Sequence, residues 1–278
     1  MKTSMFKSPV ANTGRLLRSA LALLVLTGLV MAQSAAALEV VEMKQPEANK
    51  VVIMVRFRNG AIADPEGKGG LTYATANLMT QGGAGGRSYG DMQDALYPWA
   101  ASYSVLVDKE VSTFVFQVPV DFLDAFYPLV RDVLLKPNFS EEDFARVMKQ
   151  QQNFVDQTIR ASSDEDYSKM ALEHLLFRGT NMAHMKQGNS ASVAAITLDD
   201  VKAHYASAFT ANNVRLGLAG NYPHSLRENL ERDLAALPAT PFTPAEPGAA
   251  RTADGIEVEI IAKEGAFGSA IYTGAPLG

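Results

Sequence analysis

The chain of 278 residues has no cysteine, one tryptophan and only four histidines. Without cysteine there is no disulfide framework and no thiolate site for metal or redox chemistry. The histidines, His174, His184, His204 and His224, never recur at i+3 or i+4, so no helix offers paired imidazoles to a metal. Basic residues form no stripe, and the formal net charge of -5 argues against nucleic acid as a partner. No G-x-S-x-G elbow signals a serine nucleophile. The apolar run Ala20–Ala32 falls short of the ~20 residues that span a bilayer.

That run instead fits an export leader. Lys2, Lys7, Arg15 and Arg18 precede it, and Ala35-Ala36-Ala37 follows as an A-x-A cleavage signal. Residues 1–37 therefore read as a signal peptide, with a periplasmic or otherwise exported mature chain from Leu38 and no stable membrane anchor after cleavage.

The remainder mixes strand and helix periodicities. Val51–Arg58 alternates as a half-buried strand, and Ser104–Pro119 reads as a hairpin around a charged turn. Leu71, Ala74, Leu78 and Met79 recur at helical spacing until Gly82-Gly83. Further helices are expected after Asp121 as a cap, with a kink or restart at Pro128; after the Ser140/Asp143 capping pair; from Asp166 to Phe177; after Thr197/Asp200; and from Ser225 to Leu237. Val214, Leu216 and Leu218 mark another strand. The order lacks regular βαβ alternation, which predicts an α+β fold with a largely antiparallel sheet covered by helices. Residues 38–237 form the main domain in this reading. Residues 238–254 form a proline-rich linker, and 255–278 hold the first strands of an incomplete second domain.

Local chemistry is sparse. Glu173-His174 has Met170 where a partner ligand would stand, so His174 reads as an ordinary helix-face residue beside Met170 and Ala171. Gly82–Gly90 is glycine-rich but lacks the lysine and the strand-loop-helix order of a phosphate loop, and reads as a connector. The acidic stretch Ser162–Tyr167 reads as a helix start.

Three longer blocks carry a resemblance: "FRNGAIADPEGKGGLTYATANLMTQGG", "DVLLKPNFSEEDFARVMKQQQNFVDQTIR" and "KQGNSASVAAITLDDVKAHYASAFTANNVRLGLAGN". Their order resembles the insulinase/pitrilysin-type zinc peptidases, whose helix reads G-x-x-H-x-x-E-H. In this chain the first ligand position holds Tyr73, the general-base position Ala76 and the second ligand position Asn77. The third, a glutamate in the family, falls on or near Gln157 or Thr158. A phenol, a methyl and an amide supply neither charge compensation for zinc nor a base for its water.

The resemblance thus implies a homologue without catalytic residues or a cofactor of its own. Bacterial members often pair a zinc-bearing subunit with one that has lost the motif, which implies such a subunit and an extended peptide as partners. The alternatives are a stand-alone periplasmic binding or structural assembly protein, or a metallopeptidase with relocated ligands such as His174 with His184 or Glu173.

Overall fold

The computed structural model describes residues 38–159, 164–252, 255–262 and 269–275. The leader assigned to residues 1–37 lies outside them. Among the described residues no helix is long and apolar enough to cross a membrane.

Five strands, β1 (Glu39–Lys44), β2 (Lys50–Phe57), β3 (Ser102–Val107), β4 (Ser112–Pro119) and β5 (Val214–Gly220), form one sheet in the order β1-β5-β2-β4-β3. All pairings are antiparallel except that of β1 with β5. Period-2 alternation turns Val51, Ile53, Val55 and Phe57 of β2, Phe114, Phe116 and Val118 of β4, and Leu216 and Leu218 of β5 into one buried core. Phe57, Phe114 and Phe209 meet edge-to-face there, with centroids 5.2 to 6.0 Å apart.

The helices are α1 (Leu71–Gln81), α2 (Tyr89–Leu96), α3 (Leu123–Leu135), α4 (Glu141–Asn153), α5 (Asp164–Leu176), α6 (Ser190–Ala194), α7 (Leu198–Ala208) and α8 (His224–Leu234); residues of α1, α2, α3, α7 and α8 join the sheet core, whereas α5 buries none of its described side chains. The caps read from sequence at Ser140 and Thr197 form as expected, whereas Asp121 lies within a 3-10 turn (Val120–Phe122) and Phe122 precedes α3 without a side-chain cap bond. Ser140 accepts from the Asp143 amide, and Thr197 and Asp200 close a capping box. The acids Asp164, Glu165 and Asp166 occupy the first turn of α5.

Three expectations change. Pro128 neither ends nor restarts α3, which runs on because Phe126, Leu129, Val130, Val133 and Leu134 are all buried along it. The segment 238–252 has no regular structure but is strapped to the domain. Pro238 accepts from the Ala211 amide, Asn212 donates to the Phe242 carbonyl, and Asn181 exchanges bonds with Glu246 and Gly248. The strands expected within 255–278 do not form in the described residues 255–262 and 269–275, and these residues do not join the sheet. Ile256, Val258 and Ile260 alternate there but stay exposed, since alternation makes a strand only where a neighbouring strand satisfies the backbone.

Candidate functional site

The start of α1 is fixed from upstream. Asp64, whose side chain is 1% exposed, accepts from the Gly70 amide at 2.7 Å, the Thr72 amide at 2.7 Å and the Thr72 hydroxyl at 2.6 Å. A carboxylate at this place satisfies orphan amides of the first turn and opposes the positive end of the helix dipole. Thr72 also meets His204 Nε2 at 2.9 Å, and burial holds the His204 imidazole below its usual pKa. His184 bonds the Ala61 carbonyl at 2.9 Å and lies 3.6 Å from Asp64. Gly70 has φ 93°, and a Cβ there would lie 2.5 Å from the Gln187 carbonyl oxygen, so only glycine fits this turn.

From this start α1 presents Tyr73, Asn77 and Gln81, one turn apart, to a pocket of about 170 Å³. Val147, Gln150, Gln151 and Phe154 line its other wall, at the i, i+3, i+4 and i+7 positions of the α4 stretch. The two helices converge on a pocket whose lining side chains are all neutral. Asn77 donates to its own helix at the Tyr73 carbonyl, 2.9 Å, and its Oδ1 accepts from Gln81 at 2.9 Å. Burial raises the pKa of the Tyr73 hydroxyl, with the Asn77 amide opposing, so the phenol stays protonated.

Ala76 does not line the pocket. It is fully buried and belongs to the main core against the sheet. Gln157 and Thr158 do not line it either, and both are exposed. The positions to which the resemblance assigns the third ligand thus lie off the pocket wall, which Phe154 closes instead. On a continuous α-helix the face of Val147, Gln151 and Phe154 would continue through Thr158. Here the chain turns into a π-helix over Phe154–Thr158, whose extra residue per turn rotates the later side chains away.

Gln151, missed at the sequence level, ties the site together. Its amide donates to the carbonyls of Gly70 at 3.0 Å and Gln187 at 2.8 Å, while its Oε1 is buried without a partner. The available signal was a glutamine four residues after Val147 on the apolar face of its helix.

The residues considered as relocated metal ligands hold other bonds. His174 is exposed and bonds the Ala183 carbonyl at 3.0 Å rather than packing on its own helix. Glu173 pairs with Lys109 at 3.1 Å, and Lys109 also donates to the Met182 and His184 carbonyls. Among the described residues no group of three or more histidine, aspartate or glutamate side chains is placed to hold a metal. The glycine-rich loop spends its amides on the protein: Gly83 on Asp143, Gly85 on the Lys136 carbonyl and Gly86 on Asn138. Helix α1, one wall of the pocket, also contacts β3, which among the described residues is paired only with β4.

No protein-family model matches the chain. It is 28% identical over 174 residues to the "Non-peptidase homolog YmxG" of Helicobacter pylori (strain ATCC 700392 / 26695), a match covering 61% of this chain and 38% of that protein. Among solved structures, an M16 peptidase inactive domain from Pseudomonas fluorescens superposes with a TM-score of 0.68 at 23% identity, over 77% of this chain and 53% of that one. A protease from Helicobacter pylori gives 0.71 at 13% identity, over 83% and 56%, and pitrilysin gives 0.63 at 15%, over 72% and 22%. The chain thus spans little more than half, or less, of the length of each of these proteins.

Proposed function

We propose that this chain, a homologue of the M16 (insulinase/pitrilysin-type) peptidases that is not itself a peptidase, is the non-catalytic, peptide-binding subunit of a pair. A zinc-bearing subunit would supply the chemistry. The observation that carries the proposal is the contrast on α1. The helix keeps its Asp64 cap and its Gln151 tie, while its pocket face is a neutral ladder of Tyr73, Asn77 and Gln81 closed on itself. Such a face has neither the anionic or imidazole donors that bind zinc nor a base to activate water.

Peptide binding needs neither. An extended peptide adds to a sheet edge through backbone hydrogen bonds, and among the described residues β3, which α1 contacts, is an edge strand. The pairing and the export of the mature chain extend the sequence reading, and the name of the Helicobacter relative supports the loss of peptidase activity.

The test is co-purification with the product of an adjacent gene that carries an intact H-x-x-E-H motif, followed by cleavage assays on extended peptides. The expected result is a stable complex whose cleavage rate exceeds that of the zinc-bearing subunit alone. Neither association nor any change in cleavage would sink the proposal. N-terminal sequencing of the periplasmic fraction is expected to begin near Leu38.

A further inference from the structure

Only neutral side chains line the pocket between α1 and α4, so its selectivity rests on hydrogen bonds and shape. The donors and acceptors of these side chains form an asymmetric set. The Tyr73 phenol oxygen receives the Asn77 amide, which leaves its own O–H free to donate. Gln81 donates through Nε2 to Asn77 Oδ1 at 2.9 Å, and its Oε1 has no partner among the described residues. Gln151 commits its amide hydrogens to the Gly70 and Gln187 carbonyls, and its Oε1 is buried without a partner. Gln150, exposed at the rim, makes no side-chain hydrogen bond among the described residues. The lining residues thus hold one free donor, two acceptors without donors, and an uncommitted amide at the mouth.

This set selects a ligand by elimination. Arg146 donates to the Gln81 carbonyl, but it pairs with Asp143 at 2.7 Å and its guanidinium lies 4.6 Å from the centroid of the Tyr89 ring. No uncompensated charge is therefore offered to an ion. A carboxylate would bring further acceptors to a site already short of donors. An ammonium would leave water without a counter-charge. An alkyl group would leave the phenol and both acceptors unmet. A primary carboxamide supplies what is missing: its two N–H groups donate, its carbonyl accepts, and its methylenes pack on Val147 and Phe154. A cavity of about 150 Å³ holds benzene. The pocket's 170 Å³ or so has room for a carboxamide with a short stem.

We infer that this pocket is a binding site for a primary carboxamide, the side chain of a glutamine or asparagine in an extended peptide. The peptide as its source rests on the peptide-binding reading above, with α1 in contact with the edge strand β3; the carboxamide chemistry does not.

The experiment has two arms. In the first, fluorescence anisotropy follows labelled peptides of about nine residues, long enough to run along the six-residue β3, against the full chain. The peptides share an alanine–serine background and differ at one central position, which holds glutamine, glutamate or leucine. The glutamine peptide is expected to bind about tenfold tighter than either of the others. Tyr73→Phe, which removes the free donor, and Gln81→Met, which removes an acceptor, are expected to erase that preference and leave the leucine peptide unchanged. Thermal melts verify folding, and Tyr73→Phe serves alone if Gln81→Met is unstable. In the second arm, saturation-transfer NMR is expected to show a signal from free propionamide, none from propionate, and none from propionamide with Tyr73→Phe.

Equal binding of the glutamine and leucine peptides, without a propionamide signal, overturns the inference and leaves the peptide-binding reading standing. So does a glutamine preference that survives Tyr73→Phe, which places recognition elsewhere, or tightest binding of the glutamate peptide, which makes an anion the occupant. If no peptide binds yet propionamide gives its signal and loses it in Tyr73→Phe, the carboxamide site stands and the peptide-binding reading fails. Silence in both arms overturns both.

Discussion

Gln151 reaches across from α4 to donate to the Gly70 carbonyl at 3.0 Å, at the turn where α1 begins. The two walls of the pocket are therefore tied together by a neutral amide.

Replacing Gln151 by leucine leaves the Gly70 and Gln187 carbonyls without their donor. An unmet buried polar group costs about 1–3 kcal/mol. Urea denaturation is expected to show a loss in that range for Gln151→Leu. Gln157→Ala and Thr158→Ala, at exposed positions, are expected to stay within about 0.5 kcal/mol of wild type.

Asp64→Ala removes the acceptor for two amides and one hydroxyl at the first turn of α1. Caps contribute about 0.5–2 kcal/mol, and hydrogen bonds to charged groups about 1.5–3 kcal/mol. The expected cost is about 2–3 kcal/mol by chemical denaturation. Hydrogen exchange is expected to speed up first in residues 70–75.

Acid is expected to weaken the fold in two stages. Buried His204 binds its proton at lower pH than an unfolded histidine, whose pKa is 6.5. Below that value the unfolded chain takes up more protons, so stability is full above it and declines as pH falls toward the folded pKa. Asp200, held at about 2 by Lys68 and Thr197, adds stability that is fully present above its unfolded value of 3.8 and lost as pH falls through about 2. Melting temperatures between pH 7.5 and 5 test the first stage, which His204→Gln should flatten.

Restoring ligands tests which residue of the α4 stretch faces α1. The triple change Tyr73→His, Ala76→Glu, Asn77→His is expected to bind zinc weakly, because Val147 and Phe154 face it with no carboxylate. Adding Phe154→Glu is expected to tighten zinc binding, measured by competition with a chelator, more than adding Gln157→Glu or Thr158→Glu. The reverse order would show that the π-turn does not set the register. Ala76→Glu alone is expected to destabilise the chain by more than about 2 kcal/mol, since it buries a carboxylate in the core.

The parts of this fold legible from sequence are those written in local pattern. The β2 alternation, the β3–β4 hairpin and the Ser140 and Thr197 caps each need only a few neighbouring residues. Strand β1 is not local: it exists through parallel pairing with β5, about 175 residues later, and most of its side chains are exposed. Helix α2 has a full capping box at Ser88 and Asp91, but adjoining glycines concealed it. At the site, helical periodicity correctly set Tyr73 and Asn77 on one face. It could not show that Ala76 faces the core, nor that α4 changes its pitch after Phe154.

The Tyr73–Asn77–Gln81 ladder has a consequence for how this wall answers its surroundings. It is built from two amides, which do not titrate, and a phenol that burial keeps protonated, so swings of pH around neutrality leave its bonding pattern unchanged.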